Sequence, residues 1–366
     1  MATDLPALPP AQRADLRRRF LNHGRTVYGR VVNARGASSS RLYAELCERV
    51  ALDDALLALA VDADRNTQVS NLFFAAAHDL LLREPSHPLA AYYPDLTPDP
   101  APAADAFTTF RVFCLERAEE MRRLITTQRV QTNEVGRCAC LLPAFSLVAQ
   151  HGAGRPLALV EIGASAGLHQ LWDRYAYDYG AAGFAGDQAS PVRLRCEARG
   201  DGRLPLPERL PAVSYRVGLD LTPIDVRDVD AVRWLRALIW PEHLDRMRAL
   251  DAAVALARQH PPRLIAGDAA ETLPALLAEV PGDATLCVYH SYALNQMPAA
   301  VRERILQHIT AAGRERDVYR VSQEWYAQDD NPYLQLFTYG NGEERRETLA
   351  NIETHGRWIA WRDAVT

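Results

Sequence analysis

The sequence predicts an α/β protein with a mostly parallel, doubly wound sheet, antiparallel strands at its C-terminal end, and an α-helical N-terminal domain. Three observations predict it. From residue 157 onward, short apolar runs alternate with helical patterns, the texture of parallel β-α-β winding. Residues 1–150 instead carry Leu, Ala and Phe at spacings of three and four, with few alternating β-branched runs. Near the C-terminus, Asn341-Gly342 separates two strand candidates, which is a hairpin signal. The expected division is 1–150 for a helical domain or cap and 151–366 for the sheet domain.

The totals bound the function. The chain has 366 residues, 48% hydrophobic and 24% charged, ordinary for a globular protein with a core. A net charge of −5 does not suggest nucleic acid as a partner. Met1–Phe20 lacks the basic head and apolar stretch of a secretory signal, and no apolar run approaches the roughly 20 residues of a membrane span. Six scattered cysteines read as buried thiols in a reducing cytoplasm. Only Cys138 and Cys140 lie close together, and no H-x-x-x-H or C-x-x-C supports a metal.

The helical half is expected to hold helices over 11–28, 40–51, 53–60, 68–82 and 108–126, with a proline-rich connection from Pro85 to Pro102. In Gln131-Thr132-Asn133-Glu134-Val135-Gly136-Arg137, Thr132 or Asn133 is a good N-cap for a helix over 134–150, and a first-turn Glu134 suits its dipole. Alternatively, Gln131, Asn133, Glu134 and Arg137 present a polar cluster to a cleft on the substrate side.

The sheet half opens with a strand over 157–162, a small-residue turn, and the start of a helix at Leu168. A long excursion over 175–211 holds one strand candidate at 192–197. Strands over 213–219, 263–266, 284–289 and 317–322 follow, alternating with helices over 230–257 (interrupted by Pro241), 271–279 and 298–311. Candidates over 333–339, 345–350 and 357–361 close the chain.

Ligands of parallel sheets sit beyond the carboxyl ends of the strands. Those ends carry Glu161 with Gly163, Asp220, Asp268, His290 and Glu324, four acids and no lysine. Gly167 is followed by Leu168-His169 rather than Lys-Ser/Thr, and the G-x-G-x-x-G fingerprint is missing, so nucleoside triphosphates and NAD are poorly supported. S-adenosylmethionine fits better, since it carries no phosphate and is cationic at its sulfonium and amine. Asp220 suits its ribose hydroxyls and Asp268 its adenine amino group, with Ala269 leaving room for the ring. Gly163 and Gly167 allow close backbone approach. Ala164 and Leu221 belong to the same two turns. Ser165 offers its hydroxyl or N–H to the methionine carboxylate at a helix N-terminus.

The same letters, Gly163-Ala-Ser165-Ala-Gly167, also spell the nucleophile elbow of a serine hydrolase. Ser165, Asp268 and a late His290 or His355 would supply its order of residues. Against it, residues 1–150 read as helical where a hydrolase places strands, no HGGG-like segment precedes the turn, and Glu161 and Asp220 gain no role.

Glu161-Ile-Gly163-Ala-Ser165-Ala-Gly167 resembles motif I of class I methyltransferases, with Ser165 at its middle glycine. Arg216-Val-Gly218-Leu-Asp220-Leu-Thr-Pro223 and Gly267-Asp268-Ala269 resemble their second and third motifs. More specifically, the chain resembles the bacterial family named domain of unknown function 2332. The similar stretches are residues 131–137 and 161–168, Trp234-Leu-Arg-Ala-Leu-Ile-Trp-Pro241, His290-Ser291 and His355-Gly-Arg-Trp358. The resemblance implies a Rossmann-like methyltransferase sheet behind a helical region, and no established reaction.

On that reading, methyl transfer to a small molecule needs alignment and sometimes a base. His290 is the first candidate, with Glu324 and Glu134 behind it, and Ser291 and Tyr292 on the substrate side. A protein of this fold that binds the cofactor or a nucleoside without transfer is the alternative.

Overall fold

The computed structural model describes residues 8–29, 40–63, 68–325, 332–340 and 342–362, so Asn341 of the expected hairpin turn lies outside the described residues. The protein is mixed α/β and separates into two compact units, Met1–Thr132 with Val229–Met247, and Asn133–Asp228 with Arg248–Thr366. The sequence predicts a boundary at 150/151. In the structure the helix Cys138–His151 belongs with the sheet, where Phe145 packs on Tyr289 at 5.1 Å. Val229–Met247 joins the first unit because Trp234 and Leu238 complete that unit's apolar core.

The first unit is helical. Ser40 accepts from the Tyr43 N–H to start Arg41–Val50, and Asp53 accepts from Ala55 and Leu56 to start Asp54–Ala60. The helix expected over 108–126 is two helices, Ala106–Glu116 and Ala118–Thr127. They break at Arg117, whose guanidinium pairs with Glu84 and lies 4.2 Å above the Phe113 ring.

Among the described residues the second unit is built on twelve strands: β1 Leu157–Ile162, β2 Ala176–Asp178, β3 Phe184–Gly186, β4 Arg193–Arg195, β5 Glu197–Arg199, β6 Val213–Asp220, β7 Leu264–Ala266, β8 Thr285–Ser291, β9 Val318–Glu324, β10 Tyr333–Gly340, β11 Glu343–Ile352 and β12 Trp358–Trp361. Nine form one mostly parallel sheet in the order β5-β12-β11-β10-β9-β8-β1-β6-β7. The run β7-β6-β1-β8-β9 is parallel throughout, and β10 and β11 then run antiparallel. Within the parallel run the chain starts at β1, winds out through β6 to β7, and returns to β8 on the other side. The winding therefore reverses between β1 and β8, where doubly wound sheets leave a crevice.

β1 and β8 are buried along their whole length, as near-continuous apolar strands with both faces covered should be. One face packs Val160, Ile162, Val217 and Val288 against the helices Ala269–Ala278 and Ala299–Ala312. Each such aliphatic side chain contributes about 1.5–3 kcal/mol on burial. The excursion after β1 forms a second sheet, β3-β2-β4. Tyr175 and Tyr177 donate their hydroxyls to the carbonyls of Leu168 and Trp172, at 2.6 Å each. These bonds hold Leu168–Arg174 as a 3₁₀ helix rather than an α-helix.

Candidate functional site

Three left-handed residues shape the turn after β1: Gly163 (φ +75°), Ser165 (φ +51°) and Gly167 (φ +69°). A Cβ on Gly163 would lie 2.4 Å from that of Ala293, and one on Gly167 would lie 2.8 Å from Pro262. Both glycines are therefore required by close packing as well as by φ. Ser165 adopts αL at a cost of about 1–2 kcal/mol. Its N–H donates to Asp220 Oδ2 at 2.8 Å, and its carbonyl accepts from Ile224 at 3.0 Å, which holds the conformation. The other Asp220 oxygen accepts from the Thr222 N–H at 2.9 Å.

Asp220 thus ties the end of β6 to the glycine turn while staying partly exposed. Leu221 beside it is 64% exposed. Asp268, also exposed, caps the helix Ala269–Ala278 by accepting from Ala270, and Ala269 is buried behind it. Ala164 and Ser165 are enclosed, so the expected contact through the Ser165 side chain or N–H is replaced by the bond to Asp220. The anion site expected at the helix start is also taken, because Asn133 Oδ1 accepts from the Leu168 N–H at 2.9 Å. Asn133 therefore caps this helix and not the one that follows it in sequence. The cap of that next turn is Glu134, which accepts from Gly136.

Glu161, buried to 1% exposure, is the centre of a second network. It accepts from the Tyr289 hydroxyl at 3.0 Å, and its other oxygen faces His169 Nδ1 at 3.0 Å. His169 Nε2 faces the Glu134 carbonyl at 2.9 Å, so this nitrogen carries a proton and donates to it. The Glu134 carboxylate in turn faces His355 Nδ1 at 3.2 Å. Glu134 is 4% exposed in its side chain and His355 is 20% exposed.

Gly136 and Gly356 allow this approach. A Cβ on either would meet the backbone of the other segment, at 2.3 Å from the His355 carbonyl and 2.1 Å from the Gly136 carbonyl. Arg137 completes the joint. It donates to the Thr354 carbonyl at 3.0 Å and lies 4.1 Å above the Tyr292 ring. Burial pushes the Tyr292 phenol up, against the pull of Arg137. Gln131, which its sequence position groups with these residues, falls in the helical unit.

His290 and Glu324 make a third network. His290 is buried to 1% exposure, with Nδ1 at 2.6 Å from Glu324 and Nε2 at 3.2 Å from the Arg320 guanidinium. Burial holds the imidazole below its usual value; Arg320 adds to this and Glu324 opposes it. The ring is accordingly neutral, donating to Glu324 and accepting from Arg320. Glu324 also accepts from the N–H groups of Ala293 and Leu294, both at 3.1 Å. Together they fix the loop that presses Ala293 onto Gly163. Ser291 donates to Gln323 at 3.1 Å. Two of the three residues expected to act as bases, His290 and Glu324, thus hold a loop in place.

The structure brings together Asn133, Glu134, Arg137, Glu161, Gly163 and Tyr292 at the carboxyl ends of β1 and β8. Asp220, Leu221 and Asp268 lie at the ends of β6 and β7. His169 and Tyr289 were not among the sequence candidates. The position of His169, two residues beyond Gly167, was the available signal for it.

The Ser165 hydroxyl is enclosed and makes no hydrogen bond, so no histidine activates it. Among the described residues no group of His, Cys, Asp and Glu is arranged for a metal ion, and no helix is long and apolar enough to cross a membrane. Residues 25–361 match the family described as "Uncharacterized protein conserved in bacteria (DUF2332)". No curated protein and no solved structure matches the chain.

Proposed function

The chain belongs to that bacterial family, and on this premise we propose that it is an S-adenosylmethionine-dependent methyltransferase acting on a small molecule. The observation that carries the reading is Asp220. It is an ordered, partly exposed carboxylate bonded to the glycine turn, with the exposed Leu221 beside it. A carboxylate of this kind suits a pair of ribose hydroxyls, at about 1.5–3 kcal/mol per charge-assisted bond. Leu221 gives a purine an apolar surface, and Asp268 offers an acceptor for an exocyclic amine. The strand winding, which reverses beside β1, supports a Rossmann-like sheet of the methyltransferase type. Glu161 does not fit a ligand contact, because Tyr289 and His169 enclose it.

The cofactor, when bound, supplies an electrophilic methyl group. The chain's own task is to hold the acceptor and, where needed, to take its proton. His290 and Glu324 are committed to the Ala293 loop. The partly exposed His355 is the better base, with Glu134 as the positioning residue that orients its Nδ1. Tyr292 and Arg137 stand on the acceptor side.

Titration calorimetry with S-adenosylmethionine and S-adenosylhomocysteine tests the cofactor reading. Saturable 1:1 binding supports it, and no heat at millimolar ligand overturns it. A second reading, binding without transfer, is favoured by the engagement of His290 and Glu324. Incubation with methyl-labelled cofactor and a bacterial small-molecule extract separates the two. Label in the small-molecule fraction that is lost in His355→Gln supports the transferase. Binding without transfer supports the second reading.

A further inference from the structure

The helical unit contains a buried polar cluster that the methyltransferase reading does not use. Tyr43 is 2% exposed and Tyr93 is fully buried, yet neither hydroxyl has a hydrogen-bond partner. Asp95 Oδ1 and Glu242 Oε2 are enclosed and unpartnered as well. These four atoms belong to one neighbourhood. The Tyr43 and Tyr93 rings are 6.5 Å apart, and His78 lies 5.3 Å from Tyr93 while its Nε2 faces Asp95 Oδ2 at 3.0 Å. Glu242 Oε1 accepts from the Leu42 N–H, next to Tyr43, at 2.9 Å. Burial raises both phenols, and each also feels the charges of Asp95 and Glu242.

Buried polar groups are nearly always satisfied, so four unsatisfied atoms in one neighbourhood indicate a group among them. The chemistry of these atoms says what kind. His78 Nδ1 faces the Ala237 carbonyl at 3.2 Å, so the His78–Asp95 pair is neutral overall wherever its proton sits. Glu242 adds a second carboxyl group, so the enclosed atoms are two carboxyl oxygens and two phenol hydroxyls beside their aromatic rings. Water would bond these atoms but would bring no positive charge to the two acids. A primary ammonium group brings one positive charge and three donors, and the aromatic rings favour a cation.

We propose that Tyr43, Tyr93, Asp95 and Glu242 form a binding site for a small primary-ammonium ligand. The inference is independent of the cofactor reading. Glu242 follows the Trp240-Pro241 pair of the family stretch, which ties that stretch to this site rather than to the sheet.

Methylammonium is the probe, added to the full chain against sodium at equal ionic strength. The wild type should show a saturable rise in thermal midpoint with methylammonium and none with sodium. Nuclear Overhauser contacts should link the bound methyl group to the Tyr43 and Tyr93 rings. Glu242→Gln removes one of the two acids and should weaken the apparent affinity at least tenfold. Tyr93→Phe, which removes one hydroxyl and keeps the packing, should weaken it several-fold even where the first variant folds poorly. Equal responses to both cations, an unchanged response in Tyr93→Phe, or a high-resolution structure in methylammonium with only water between the four atoms would overturn the proposal.

Discussion

Asp220 ties the turn and, in the proposed function, receives the ribose; the two roles separate by substitution. Asp220→Asn keeps the shape and one acceptor toward the turn but removes the charge. We expect a 10- to 100-fold loss of S-adenosylmethionine affinity, the equivalent of about 1.5–3 kcal/mol, read by calorimetry. Leu221→Asp leaves every bond of the turn in place and should weaken binding with little change in thermal midpoint. His290 gives a prediction in pH. Its folded value lies below the usual 6.5. Between that lowered value and 6.5 the unfolded chain binds a proton that the folded chain does not. Stability therefore falls as pH drops below about 6.5 through this window. His23 and His87 are also lowered, mainly by burial, and add to the slope. Urea midpoints between pH 7 and pH 5 should fall in the wild type, and His290→Gln should be less stable at pH 7 but show a shallower fall. An equal slope in both would contradict the assignment.

The element that most constrains the site is the turn from Gly163 to Gly167. Gly167→Ala forces an alanine to φ +69° with its Cβ 2.8 Å from Pro262. A loss of about 1–2 kcal/mol from the conformation alone is expected, with the overlap adding to it; denaturant unfolding measures it. A variant as stable as the wild type would contradict the packing described for the turn. The glycines, their strand and the acids at the strand ends were legible in the sequence, because buried parallel strands read as apolar runs and left-handed turns demand small residues. The partners of those acids were not legible. Glu161 reads as an acid poised toward a ligand, yet it is closed by Tyr289, a neighbour only through the β1–β8 register. His290 reads as a base at a strand end. Arg320, which occupies its second nitrogen, comes from the adjacent strand thirty residues on. Asn133 reads as a cap for the next helix and instead caps one that starts thirty-five residues later. Each of these choices is made by tertiary packing, which local spacing does not encode.

At the scale of the whole molecule, the helical texture of the early residues and the strand alternation from residue 157 were legible, but the unit boundary and the recruitment of Val229–Met247 into the helical unit were not. That segment interrupts the sheet domain in sequence because its Trp234 and Leu238 are core residues of the other unit. The stretches that resemble the family thus fall in both units: residues 133–137, 161–168 and 355–358 in the sheet unit, and Trp234–Pro241 in the helical one. A ligand that binds only the folded chain must stabilise it, by about 2.7 kcal/mol at a hundredfold excess over Kd. The central claim, a cofactor site organised by Asp220, is tested most directly by calorimetric titration of the wild type and Leu221→Asp with S-adenosylmethionine. The account predicts saturable 1:1 binding that is lost or strongly weakened in the variant. Absence of binding to the wild type at millimolar ligand, or equal binding by the two proteins, would contradict it.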